Sequence, residues 1–407
     1  MIIKRLYAEE IFNAQGIPTL QCSITLANNQ TIKSSIPSGF TQQRHSTFYA
    51  YDQAERFFQK GMQQAATYIN TKIAPLFEQK AINVLAMDSE LMDLDTSIKK
   101  TSIGGNVTLV VSQALFKAQA AAENVQLFEL LQSISGTKQL KIPRPITSIF
   151  EGRTYNNQQD IKELLLIPQE NSFEKNLEAT IVLQHHTKKI LHLKKQPTST
   201  GAYGSFVPFF VTIQETFNIL QNVFKTTPYN YKIGLNIVAS DLYDQDTKTY
   251  LWNNQTLISQ ELIDTYKELI NLYPAISYIQ NGISDSDQDG WKNLTQSLKS
   301  TLIAGDTIFC TNPMLIRKGI LHSIANIVVI RPEYIGTVSQ TIAAIDSCKK
   351  NDRAFIIACD TGQTNDTFAS DLAMGTNANF IKAGAVHTGA FIAKYNRLLS
   401  IERYLNL

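Results

Sequence analysis

Residues 326–337 read Asn-Ile-Val-Val-Ile-Arg-Pro-Glu-Tyr-Ile-Gly-Thr. The run 327–330 is apolar without alternation, so both faces of that segment must be covered by protein. It ends abruptly in Arg331, followed by Pro332. Working outward, the same pattern recurs at 164–167, 233–239, 275–279, 355–358 and 379–381, with segments of helical spacing between the runs. Residues 261–272, for example, place Leu262, Tyr266, Leu269 and Leu272 on one helical face. Short strands apolar on both sides and separated by helices predict a parallel sheet wrapped by helices. Their number and spacing favour a (β/α)8 barrel over an open doubly wound sheet. Each run ends in a polar residue, namely Asn236, Gln280, Arg331, Cys359-Asp360 or Lys382. In a barrel such positions converge at the C-terminal mouth, where chemistry is built.

Upstream the pattern differs. Leu20, Cys22, Ile24 and Leu26 alternate with polar residues, a strand period of two. Asn28-Asn29 supplies turn chemistry before residues 31–36 run back. In 52–78, Ala54, Phe57, Phe58, Met62, Ala65 and Ile69 recur at helical spacing and predict one buried face. An Ala-rich helix is expected over 106–122, opened by Gly104-Gly105. Residues 138–145, KQLKIPRP, carry two prolines and read as a connector. The fold class is therefore α/β, with an N-terminal α+β domain over 1–137 and the barrel over 138–407. Two domains also suit 407 residues, since single cores stop growing near ~250–300.

Composition excludes several functions. A net charge of +2 with 18% charged residues lacks the clustered excess of a nucleic-acid binder. Lys188-Lys189 and Lys194-Lys195 have the spacing of a solvated helix face. Cys22, Cys310, Cys348 and Cys359 lie far apart with no CxxC pair, which suits a reducing cytoplasm. No apolar stretch approaches the ~20 residues of a membrane span, and the N-terminus shows no signal core. Residues 285–290 resemble the start of a calcium loop, but the glutamate required six residues after Gly290 is Gln296. His185 and His186 point to different faces of a helix, a poor arrangement for metal.

Particular residues carry a family resemblance. They include Ala239-Ser240-Asp241, the 285–291 stretch DSDQDGW, Gly305-Asp306, Thr311-Asn312 and Ile335-Gly336-Thr337. They continue through the 362–367 stretch GQTNDT, Ile381-Lys382-Ala383-Gly384 and Ala393-Lys394-Tyr395-Asn396, with Gly16-Ile17-Pro18-Thr19 and Pro37-Ser38-Gly39 near the start. Together, in order from about residue 3 to residue 403, these resemble the enolases. The resemblance implies an α+β cap, an eight-stranded barrel with an irregular start, usually a homodimer, and dehydration of 2-phosphoglycerate. In that reaction a lysine removes a proton beside a carboxylate, two magnesium ions stabilise the enediolate, and a glutamate protonates the leaving hydroxide.

Carried over position by position, the resemblance implies a depleted site. The three magnesium carboxylates match Asn236, Gln280 and Asp306, and the loop residue for the second ion matches Thr41. The catalytic lysine matches Arg331, whose guanidinium cannot surrender a proton near neutral pH. Glu163 matches one acidic glutamate, while Tyr203 stands in place of the other. The phosphate-binding run matches Ala358-Cys359-Asp360-Thr361, in which Asp360 replaces an arginine. The active-site histidine matches Thr154, and Lys382 is retained. Gln15 replaces an arginine that supports dimer contacts. The expectation is an inactive homologue with a binding or scaffold role and no cofactor, magnesium entering only if the depleted site still holds it. Its partner is expected to be a protein or small molecule, a second copy or a true enolase subunit. The alternative is a family enzyme acting on another carboxylate.

Overall fold

The computed structural model describes residues 1–39, 42–53, 55–152, 160–209 and 212–406. Thr41 and Thr154 therefore lie outside the described residues, as does Ala54. The chain begins with an antiparallel sheet of β1 (Ile3–Phe12), β2 (Pro18–Leu26) and β3 (Thr31–Ser35). The alternation in β2 buries Leu20, Cys22, Ile24 and Leu26 as expected. β1 was not foreseen, since its charged and aromatic residues mask its period.

The buried helix face expected over 52–78 is corrected. Phe57 and Phe58 are exposed, Phe58 by 95%. Both have positive φ, and the α-helix starts only at Gln63. Asp52 causes that late start, its carboxylate accepting from Gln63 N–H at 3.0 Å and Gln64 N–H at 2.9 Å. The helix Gly105–Ala122 is buried nearly all round because it is sandwiched between cap sheet and barrel. Its Thr108 donates to Gly336 O at 2.7 Å, and Lys117 pairs with Asp366 at 2.6 Å across the seam.

The second part is a closed barrel in the order β10-β11-β12-β13-β14-β4-β5-β6. Its first strands are β4 (Arg144–Glu151), β5 (Glu163–Pro168) and β6 (Tyr231–Asn236). A small antiparallel meander follows, β7 (Tyr243–Asp244), β8 (Thr249–Trp252) and β9 (Gln255–Leu257). The rest are β10 (Ile276–Gln280), β11 (Leu302–Gly305), β12 (Ile327–Ile330), β13 (Ala354–Ala358) and β14 (Phe380–Lys382). The runs read as strands are all present. The sequence reading omitted β4 and β11.

An all-parallel sheet is also corrected, because β5 runs antiparallel to both β4 and β6. Only residues 152–162 join β4 to β5, fewer than a helical crossover needs, so the chain returns antiparallel. This reversal brings Glu163, the first residue of β5, to the mouth beside the last residues of its neighbours. Inside, Ile146, Leu165, Ile167, Tyr278, Val329 and Ile356 form a separate apolar cluster. Leu272, assigned to a buried helix face, is 64% exposed at the end of the helix Ser259–Leu272, where the chain turns off towards β10. Among the described residues no helix is long and apolar enough to cross a membrane.

Candidate functional site at the barrel mouth

Strand register assembles the site. Glu151 pairs with Glu163, Glu163 with Asn236, and Asn236 with Gln280. Lys382 ends β14, and Asp306, Arg331 and Asp360 immediately follow or nearly follow β11, β12 and β13. Apart from Thr41 and Thr154, the residues singled out in the sequence thus converge on one end of the barrel. The cap closes over them: Gly362 sits so near Ser38 that a Cβ there would lie 1.7 Å from its carbonyl oxygen, and its φ is +67°. Between cap and barrel lies a cavity of about 300 Å³ lined by Gln15, Gln43, Tyr203, Arg331 and Asp360, among others.

The polar groups below this cavity form one connected chain. Asn236 Nδ2 donates to Glu163 Oε2 at 2.6 Å, and Lys382 Nζ donates to the same oxygen at 2.8 Å. Lys382 also donates to Gln280 Oε1 at 3.1 Å, which further accepts from the Tyr278 hydroxyl at 2.9 Å. Gln280 Nε2 donates to Asp306 Oδ2 at 2.7 Å. Arg331 then grips Asp306 with its fork, Nε at 3.1 Å from Oδ1 and Nη2 at 3.0 Å from Oδ2. Its Nη1 lies 3.9 Å from Asp360 Oδ2. Asp360 accepts from the hydroxyls of Tyr203 at 3.1 Å and Tyr334 at 3.3 Å, and from Thr361 N–H at 2.8 Å. Glu163, Gln280 and Lys382 are at most 1% exposed, and Arg331 and Asp306 are 2% and 3% exposed.

Such burial makes the pairing decisive, since an unpaired charge there is costly. Burial is the largest influence on the carboxyl of Glu163 and would raise it, but the charge of Lys382 and hydrogen bonds from Lys382 and Asn236 together hold it below its ordinary value. Burial pulls Lys382 down despite Glu163. Burial opposes the charge of Arg331 too, yet Asp306 and Asp360 keep its proton bound even more firmly than usual. Tyr203 is pushed well up by burial and then by Asp360. It therefore acts as a hydrogen-bond donor. Cys359 is raised to about 12 by burial and is an inert thiol in the wall.

Two groups were missed in the sequence. Glu151, 4% exposed, accepts at one oxygen from the N–H groups of Tyr203 at 3.0 Å and Ser205 at 3.1 Å, fixing the loop that carries Tyr203. Burial, and then the neighbouring Glu163, raise it to about 7. Tyr334 lies three residues past Arg331 and stacks near its guanidinium at 5.7 Å. The only available signal was position, each being at or just beyond a strand end. β4 itself went unread, so Glu151 could not be found.

The side-chain oxygens of Asp306 and Gln280 are committed internally, whereas Glu163 Oε1 and Asn236 Oδ1 are buried without a hydrogen-bond partner among the described residues. Both oxygens of Asp306 accept from Arg331, one also from Gln280, and the side-chain oxygen of Gln280 faces an ammonium and a phenol. Among the described residues no three His, Cys, Asp or Glu side chains are grouped to hold a metal ion. Two carboxylates of 285–290 are likewise occupied: Asp285 accepts from Thr307, and Asp287 caps the following helix at Gly290 N–H.

Comparison with known proteins covers the whole chain. The family model for the enolase C-terminal TIM barrel domain matches residues 139–406, and that for the enolase N-terminal domain matches 3–131. A protein named enolase from Ehrlichia canis (strain Jake) is 33% identical over 414 aligned residues, covering 100% of this chain and 97% of the relative. One from Helicobacter pylori (strain ATCC 700392 / 26695) is 34% identical over 417, covering 100% and 96%.

Proposed function

The chain belongs to the enolase family, and from that premise we propose that it has kept the enolase frame while giving up the enolase reaction, acting instead by binding. The observation that carries this reading is the Arg331–Asp306 fork, closed inside the barrel mouth. The family's reaction needs magnesium at the mouth and a base that can release its proton near neutral pH. Taking Arg331 at the base position, a guanidinium held protonated by two carboxylates cannot fill that role.

The residues present do not fit magnesium. A hard divalent ion is captured by carboxylate oxygens in octahedral array. Here the oxygens of Asp306 already face a guanidinium and an amide N–H, and Asn236 and Gln280 add no charge. Above them, Asp360 would repel a phosphate dianion. Buried thiols at all four cysteines support a reducing, cytoplasmic setting. The binding partner we assign to the class of proteins or small molecules, among them a second copy or a true enolase subunit.

Turnover of 2-phosphoglycerate at millimolar magnesium tests the reading. The expected result is no phosphoenolpyruvate above an enzyme-free control. Robust magnesium-dependent turnover by the purified chain ends it.

A further inference from the structure

Two carboxylates, Glu163 and Asp306, and two fixed cations, Lys382 and Arg331, share one water-poor space. A buried carboxylate needs a positive partner, and Asp306 has Arg331. In the family that charge comes from a dissociable ion. In this chain it comes from the side chain of Arg331, the residue matched to the family's base. We propose that Arg331 is a built-in counter-ion: its guanidinium does for Asp306 and Asp360 what a bound divalent cation does elsewhere, so that the mouth stays assembled without metal. The inference rests on the reading of the mouth as one that does not take magnesium, and it adds a role for the residue that excludes the metal.

Geometry supports a charge role over simple packing. The planar fork meets both oxygens of one carboxylate, the arrangement in which arginine binds carboxylate most strongly. Nη1 then faces a second carboxylate, Asp360, at 3.9 Å, so one cation lies between two anions from the strands on either side of its own. Gln280 and Asn236 complete the substitution. Carboxylates there would add negative charge that one guanidinium could not neutralise, whereas amides supply N–H groups to Asp306 and Glu163. The amides and the arginine are thus a coupled set. Arg331 supplies charge without exchange, and Asn236 and Gln280 remove the surplus anions.

The test compares side chains of similar length with and without charge. Melting temperatures of the full chain, R331K and R331M are measured in EDTA and in 5 mM magnesium or manganese. Magnesium and EDTA are expected to leave the wild type unchanged. R331K, which keeps the charge and loses the fork, should melt between the wild type and R331M, and R331M should melt roughly 5–10 °C below the wild type. R331A, which leaves Asp306 and Asp360 facing an open space, should regain several degrees with manganese or with low-millimolar methylguanidinium, neither of which moves the wild type. Because R331A or R331M could fail to fold alone, the double variant R331M/D306N is included, and removing both charges should melt higher than R331M. Equal melting of R331M and R331K, or the absence of any cation rescue, overturns the counter-ion role and leaves the binding reading standing. A magnesium-dependent rise in wild-type melting overturns both.

Discussion

Two layers of the same barrel are held together by different physics. The interior layer of Ile146, Leu165, Ile167, Val329 and Ile356 packs apolar side chains in contact that has no direction. The mouth, two or more residues further along the same strands, is stitched by side-chain pairs that work only in one geometry and one charge state. A missing methyl in the first layer removes a little area. A missing charge in the second leaves its partner buried and unpaired, and the penalty falls on the survivor. The contrast is sharpest between Lys382, which ends β14, and Ile356, which pairs in register with Phe380 of that strand.

The largest break is therefore expected at Lys382. K382M keeps length and packing but strands Glu163, 0% exposed, with Asn236 as its remaining donor at that oxygen. The expected loss is about 3–5 kcal/mol of unfolding free energy, measured in urea. Restoring the balance with E163Q in the same chain should recover much of it. Should K382M cost no more than a deleted methyl in the interior layer, the mouth is not held by its charges and the comparison collapses.

A smaller effect isolates proton binding. Glu151 is raised to about 7 by burial and by Glu163, whereas the unfolded carboxyl titrates near its ordinary value of about 4.3. Between those values the folded chain holds a proton that the unfolded chain has released. The stability this group contributes is thus full below the lower value and is lost as pH rises through about 7. E151Q keeps an oxygen for the N–H groups of Tyr203 and Ser205. It should match the wild type near pH 4.5 and exceed it by on the order of 1–3 kcal/mol at pH 8.5. An unchanged stability–pH profile in E151Q removes Glu151 from the titrating set.

The two layers also differed in how far they could be read from sequence. Interior strands announce themselves by uninterrupted runs such as 327–330, because burial on both faces permits little else. Their polar terminators located Asn236, Gln280, Arg331, Asp360 and Lys382 at the mouth for the same reason. Who pairs with whom was not legible. The Arg331–Asp306 fork joins residues 25 apart, and the Lys382–Glu163 pair residues 219 apart, through a closure that no local pattern encodes. Local patterns also misled where a single cap outranked periodicity. Asp52 holds Gln63 and Gln64 at a helix start, so Phe57 and Phe58 precede the helix they were assigned to. β4 escaped because its proline and polar residues, in RPITSIFE, hide a strand buried over all but its first residue.

The smallest effect is expected in the interior layer, and it completes the comparison. Ile356 is fully buried, with Val329 opposite it on one side and Phe380 on the other. I356V deletes one methyl and leaves every hydrogen bond of the mouth intact. The loss should be about 0.5–1.5 kcal/mol, the transfer term plus a small cavity. Unlike the Glu151 contribution, it should be the same at pH 5 and pH 8, because no titrating group is touched. Its sum with K382M should also be additive to within about 0.5 kcal/mol, since Ile356 and Lys382 share no hydrogen-bond or ion-pair partner although they sit on neighbouring strands. Strong coupling between I356V and K382M would mean that the two layers form one cooperative unit, with the mouth's geometry set by the packing beneath it rather than by its own charges.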